Sequence, residues 1–440
     1  MLERLSLAAL ALALGPHLAV SQSNLEAKPA DVVLLSAARL LDVRAGRYLE
    51  NVSLLIEGDR IKEIGPMKDL QARAPKSAKI IDLPNGTLLP GLIDCHTHLM
   101  SHMASTPDAY ILDLATKSQA FRALEGAADA RLTLRAGFTT VRDVENEGSG
   151  YADVALRDAI NQGLVEGPRM QVATRAIAAV GQYNPFGVSP DLRDFPMGAQ
   201  MISGAEDARR AVREQIGHGA DLIKVYADWQ TPTLTVEEMR VIVEEAHKFK
   251  RKVAAHATTA EGIRNALTAG VDSIEHGHQA DQKDIELMKE KGVFLVPTVG
   301  VIDAMYAERA PRFTPEQRKG FDDFLEEIQQ SVQLAKSLGV KIASGYDAGS
   351  AAHQGKNAEE LISLTKRGLT PAEAIRAATA TAAELLTWQD RVGAIEPGKY
   401  ADLIAVQGDP LTDITVLRQI KFVMKAGIPV VDTFHTPALN

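Results

Sequence analysis

Between residues 89 and 390 short apolar runs alternate with longer helix-like stretches, eight times in succession. The runs are Leu88 to Asp94, Phe138 to Val144, Met170 to Thr174, Leu222 to Tyr226, Val253 to His256, Ser273 to His276, Val293 to Pro297 and Lys341 to Ser344. Their length and branched content suit strands buried on both faces. Four of the runs follow the same lead-in, a glycine that ends a helix and releases a strand: Ala136-Gly-Phe138, Ala269-Gly-Val271, Lys291-Gly-Val293 and Leu338-Gly-Val340. Ser203-Gly-Ala-Glu206, Thr235-Val-Glu-Glu238 and Thr370-Pro-Ala-Glu373 read as capping boxes that start helices. Eight strand–helix units predict an α/β fold, a (β/α)8 TIM-type barrel over 89–390, in preference to an open doubly wound sheet. No Gly-x-Gly-x-x-Gly follows the first run, which argues against a dinucleotide site.

The flanks differ. Residues 28–88 and 391–437 show short alternating runs with tight turns, such as Val52 to Ile56 before Glu57-Gly-Asp59, and Ile420 to Met424 before Lys425-Ala-Gly427. The economical reading is one small β-sandwich built from both chain ends. Leu5 to Gly15 is apolar and Ala19-Val-Ser21 offers small residues, so 1–21 is expected to be a signal peptide and the protein secreted or periplasmic. That run is too short to span a bilayer. The net charge of −9 comes without a basic stripe, so no nucleic-acid partner is expected. Cys95 is the sole cysteine, which excludes an intrachain disulfide, and its alternation out of phase with His96 and His98 predicts a packed core thiol. Gly181 to Gly198 and Gly300 to Gly320 read as neither helix nor strand; at the C-terminal rim of a barrel they are candidate lids.

The chemistry gathers where the runs end. Lys224 stands inside Asp221-Leu-Ile-Lys-Val-Tyr226, and a lysine in a buried strand is costly unless its amine is used. His96 and His98 share a strand face, and His256, His276 and Asp347 each close or follow a later run. Lys224 alone could be a Schiff-base lysine. Together the six residues fall in the order of one barrel rim, which suggests metal ligands with the lysine as a modified bridge. Glu275 should point away from His276 and either support the ligands from behind or serve structure, while His278 shares parity with His276.

Two longer stretches carry a family likeness. Leu89-Pro-Gly-Leu-Ile-Asp-Cys-His-Thr-His98 and Val392-Gly-Ala-Ile-Glu-Pro-Gly-Lys-Tyr-Ala-Asp-Leu-Ile-Ala-Val406 resemble the opening and closing motifs of the amidohydrolase superfamily, over nearly all of the chain beyond residue 21. The resemblance implies two divalent metal ions, zinc by default, bridged by N6-carboxylated Lys224. It assigns His96, His98 and Asp347 to one ion and His256 and His276 to the other, with Asp347 as the catalytic proton carrier. Ile223-Lys-Val-Tyr226 and His276-Gly-His278 resemble the group of Xaa-Pro dipeptidases and carboxypeptidases, close to the ochratoxin-degrading amidohydrolases. That likeness implies a homo-oligomeric enzyme that releases a C-terminal L-amino acid from N-acyl amino acids or dipeptides, and so a substrate with a free carboxylate. Tyr226 and His278 are the implied substrate contacts, with a rim hydrogen bond as the other reading of His278, and Arg142 is a further candidate because arginine can grip a carboxylate bidentately. For Tyr226 the competing reading is a tyrosine hydrogen-bonded within the barrel, and for Arg142 an ion pair with Asp143 or Glu145. A cyclic amidase, lactonase or phosphotriesterase would use the same ligands, and a non-catalytic scaffold would be expected to have lost them.

Overall fold

The computed structural model describes residues 31–102, 106–183, 188–189, 191–192, 194–229 and 231–434. The expected signal peptide lies outside the described residues. The chain opens with β1 (Val32–Asp42), β2 (Arg47–Glu50), β3 (Ser53–Glu57), β4 (Arg60–Gly65) and β5 (Lys79–Pro90). Alternation places Val33, Leu35, Leu54 and Ile56 in one apolar cluster, and Leu34 and Leu55 against Leu70 of the helix Met67–Arg73 on the other face. A register shift between Ala37 and Arg39 resets the phase, so Leu40 rejoins the first cluster.

A second layer follows. β6 (Leu92–Thr97), β7 (Phe138–Asp143) and β8 (Arg169–Val172) form one parallel sheet. β9 (Ala176–Ala179), β10 (Ala199–Ile202), β11 (Leu222–Tyr226), β12 (Lys252–Ala257), β13 (Ser273–His276) and β14 (Phe294–Val296) form another, in the order β10-β9-β11-β12-β13-β14. The eighth expected strand pairs only through the bridge Leu295 to Ile342, yet its backbone joins the two sheets. Leu295 N donates to Lys341 O at 3.0 Å, Cys95 N to Ser344 O at 2.8 Å, and Asp347 N to His96 O at 2.9 Å. Ile223, Val225, Val253, Ala255, Ile274 and Leu295 face outward, into a core shared with Ala211, Ile242, Ile263 and Met288 of the surrounding helices. The opposite parity, Lys224, Tyr226 and His256, is left for the interior.

The chain then returns to the first sheet with β15 (Leu403–Gln407), β16 (Phe422–Lys425) and β17 (Ile428–Asp432). β15 pairs with β5, so both chain ends build one eight-stranded sheet, β17-β16-β15-β5-β1-β3-β4, with β2 on β1. Leu403, Phe422 and Met424 enter the same cluster as Val33 and Leu35.

Several expectations need correction. The run Leu88 to Asp94 is two strands, because β5 belongs to the first sheet and Gly91 separates it from β6. β9 and β10, on either side of the stretch Gly181 to Gly198, are strands that the sequence did not single out. Gly300 to Gly320 is not a loop: helices cover Val299–Arg309 and Pro315–Leu338, the second started by a capping box of Thr314 and Gln317. Ser203 does not cap; the N-cap is Gly204, whose amide donates to Glu238 instead. The boxes at Thr235 and Thr370 form as the spacing predicts, and Gly270, Gly292 and Gly339 are left-handed C-caps. Among the described residues no helix is long and apolar enough to cross a membrane.

Candidate metal centre

The C-terminal ends of the parallel strands bring four imidazoles, a carboxylate and an amine together. His96 lies in β6 and His98 just beyond it, with ring centroids 5.2 Å apart. His276 ends β13, its ring 5.1 Å from His96 and 4.4 Å from His256 of β12. Asp347 lies 3.2 Å from His98 Nε2, 3.7 Å from His96 Nε2 and 4.0 Å from His276 Nδ1. His96, His276 and Asp347 each offer an atom within 4.8 Å of the other two, which is close enough for one ion. His276 and Asp347 both adopt left-handed backbone, at φ 72° and 63°. This breaks the strand alternation and swings both side chains inward.

That break overturns one expectation. Glu275 does not turn its back on the cluster: its carboxylate meets His96 Nδ1 at 2.8 Å. The same carboxylate takes Arg142 Nη2 at 2.8 and 2.9 Å, while Arg142 Nε donates to Cys95 O at 2.6 Å and Nη1 to Ser273 Oγ at 3.1 Å. Arg142 and Glu275 are 2% and 0% exposed, so this guanidinium is committed beneath the site and does not face a substrate. Neither Asp143 nor Glu145 is its partner. Burial raises the Glu275 carboxyl, but Arg142, His96 and Lys224 outweigh it and hold it well below the usual range. An ionised Glu275 fixes Nδ1 of His96 as the donor and leaves the Nε2 lone pair toward Asp347. His98 is oriented likewise by Glu145 O, 3.2 Å from Nδ1, and His276 Nδ1 meets Thr298 Oγ1 at 2.8 Å.

Electrostatics prepares most of these groups for a cation. Burial, with the Lys224 charge, lowers His96 to about 4 and holds His256 well below its ordinary value. Burial and the neighbouring imidazoles do the same to His276. Burial also pulls the Lys224 amine down. Asp347 is held near 2, because His96, His98 and Lys224 outweigh its desolvation. His98 differs: burial opposes its charge, yet Asp347, Glu147 and Glu145 raise it to about 10, which favours a protonated ring facing Asp347. A divalent ion in that proton's place would use the same lone pairs. Neutral imidazoles and an ionised carboxylate are the donors that zinc and its neighbours take, and the residues therefore fit a metal.

The remaining expected contacts lie beside the cluster. Tyr226 donates to Glu145 at 2.5 Å, and Tyr183 donates to the other oxygen of the same carboxylate. Trp229 stacks on Tyr226 with centroids 4.5 Å apart. Burial, and then the charge of Glu147, raises Glu145 to about 7. His278 is buried, its ring is 5.5 Å from His276, and its Nε2 meets no hydrogen-bonding partner among the described residues. Cys95 is fully buried among Ile93, Val296 and Ala343. Sequence reasoning expected a supporting role for Glu275 but did not anticipate Tyr183, or Glu145 as the partner of Tyr226; the acidic stretch Asp143-Val-Glu-Asn-Glu147 was the available signal.

The amidohydrolase family model matches residues 87–430. The chain belongs to the amidohydrolase family. Ochratoxinase of Aspergillus niger is 32% identical, with 91% of this chain and 88% of that protein aligned. The structure of a Xaa-Pro dipeptidase with methionine bound in its active site superposes with a TM-score of 0.80 at 34% identity, covering 91% of this chain and 99% of the other. The structure of the Aspergillus niger ochratoxinase gives 0.78 at 30%, covering 92% and 96%. The fold of this amidohydrolase is thus of the TIM-barrel type, and its activity class is metal-dependent hydrolysis of amides in small molecules. A cavity of about 740 Å³ opens beside its Asp347, toward the helix Val299–Arg309.

Proposed function

We propose that this amidohydrolase releases a C-terminal L-amino acid from N-acyl amino acids or dipeptides, ochratoxin A among them, which would give phenylalanine and ochratoxin alpha. The observation that carries the reading is the buried Lys224, its ammonium form disfavoured, whose charge acts on three surrounding imidazoles. Once the ammonium has lost a proton, the neutral amine can add CO₂ with loss of a second proton, and the resulting carbamate would be an anion with two oxygen donors, suited to two divalent ions. His96, His98 and Asp347 would hold one ion and His256 and His276 the other. When bound, such ions supply Lewis acidity for the amide carbonyl and lower the pKa of water. The protein's own residues do the rest. Glu275 and Glu145 O fix the ring faces of His96 and His98. Asp347 takes a proton from the attacking water and delivers it to the leaving nitrogen. His278, with Nε2 unpartnered, orients the substrate carbonyl, while Tyr226 gives its hydroxyl proton to Glu145 and packs beside the site. The likeness to a Xaa-Pro dipeptidase and an ochratoxinase supports a substrate of this class. The hydrogen bonds of 341–347 support a closed eight-stranded barrel.

Purified protein should hydrolyse N-acyl-L-phenylalanine, lose turnover on chelation, and regain it with zinc only when bicarbonate is present. Normal turnover by Lys224→Ala would defeat the bridging role. A panel with lactones and phosphotriesters separates this reading from other uses of the same ligands.

A further inference from the structure

With Arg142 committed to Glu275, the carboxylate expected on the substrate needs another cation. The cavity beside Asp347 is bounded by Val301, Ile302 and Met305 of the helix Val299–Arg309, and by Arg309 and Arg312 where that helix passes into the turn Ala310–Arg312. The other charged groups around it are already paired. Glu308 meets His353 at 3.0 Å, His102 meets Glu125 at 3.0 Å and Asp129 at 2.5 Å, and Asp347 meets His98. Arg309 and Arg312 are exposed and form no ion pair among the described residues. The volume, about 740 Å³, is within the range that small ligands fill.

We infer that Arg309 and Arg312 recognise an anionic group of the substrate, and that this cavity takes the apolar, carboxylate-bearing side of the amide. The inference deepens the proposed function and rests on it for the position of the scissile bond. A guanidinium grips a carboxylate through two parallel N–H donors, and two of them at one cavity edge select an anion over its neutral isostere. The apolar wall of Val301, Ile302 and Met305 removes the rest of that group from water.

3-Phenylpropanoate has the apolar body and the carboxylate but no amide bond, so its binding can be titrated without turnover, against 3-phenylpropanamide as the neutral control. The native protein should prefer the acid. Double replacement, Arg309→Gln with Arg312→Gln, should weaken acid binding about ten- to hundredfold and leave the amide unchanged. Equal affinity for acid and amide in the native protein, or an unchanged preference in the double variant, would overturn the site. Benzoate release from N-benzoyl-L-phenylalanine and from its carboxamide is the second readout: KM for the acid should rise in the variant while kcat holds. If native protein releases no benzoate while the phenylpropanoate result stands, the hydrolase specificity fails and the anion site survives.

Discussion

Glu275 and Arg142 show how one residue can be wrongly placed by parity and still serve the site. Strand alternation turns Glu275 away from His276, but the left-handed backbone at His276 lets both point inward. Glu275→Gln keeps the shape and removes the charge that sets the His96 tautomer. Metal affinity or activity should fall about 10- to 100-fold, read by zinc content and kcat/KM. Glu275→Ala leaves Arg142 buried without its carboxylate and should destabilise the fold by about 3–5 kcal/mol in a denaturant titration. Glu360 carries a pH signature. Burial raises its carboxyl to about 8 from an ordinary 4.5, although the amides of Gly300 and Val299 oppose this. The folded protein then holds a proton that the unfolded chain releases, so this group's stabilisation is complete below 4.5 and is lost as pH rises through 8. Glu360→Gln should raise the denaturation midpoint at pH 9 relative to the native protein, and the gain should vanish at pH 4. Residues that end an apolar run were legible as one converging cluster. The pairing of Arg142 with Glu275 was not, because it joins residues more than a hundred positions apart in the chain.

At the scale of elements, the eighth strand fits only because Gly345 lacks a side chain. A Cβ there would lie 2.5 Å from Val296 Cγ1 and 2.6 Å from His96 Cβ. Gly345→Ala should push the Asp347 segment away from His96, lowering zinc retention while far-UV circular dichroism stays near that of the native protein. The segment 341–347 was legible as a strand from its glycine lead-in, but little of its ladder survives, since Ser344 N turns to Ala377 O and Asp347 leaves extended geometry. Gly300 misled in the opposite direction. It reads as a helix breaker, yet it sits there because Glu360 backbone approaches within 2.7 Å of where its Cβ would be. The start of the next helix was missed although Thr314-Pro-Glu-Gln317 has the spacing of a capping box. Thr314→Ala should cost about 1 kcal/mol or less in that exposed helix start, measured by thermal unfolding.

At the scale of the molecule, the sheet that contains β1 cannot be completed until β15, β16 and β17 have been made. Their loss would uncover Leu83, Leu88 and Val33, all of which share a cluster with Leu403 and Phe422. The two layers are also pinned to each other: Tyr400 lies between the guanidinium groups of Arg60 and Arg169, at 3.6 and 3.5 Å, and Arg169 pairs with Asp402 at 2.7 Å. A chain ending at residue 390 should therefore be recovered insoluble or rapidly proteolysed, whereas the full chain resists limited trypsin. The shared composition of the two flanks made their union legible. The short pair β9 and β10 was not, because four residues carry too weak a period to separate from loop.

His276 and Asp347 hold backbone torsions that glycine or asparagine would adopt at less cost. Replacing Asp347 by either relieves that torsion but leaves the buried His98 without its carboxylate, and should end turnover and weaken the fold together. Heat selection would thus keep that carboxylate even without a demand for product, because the group that moves the proton also neutralises a buried imidazole.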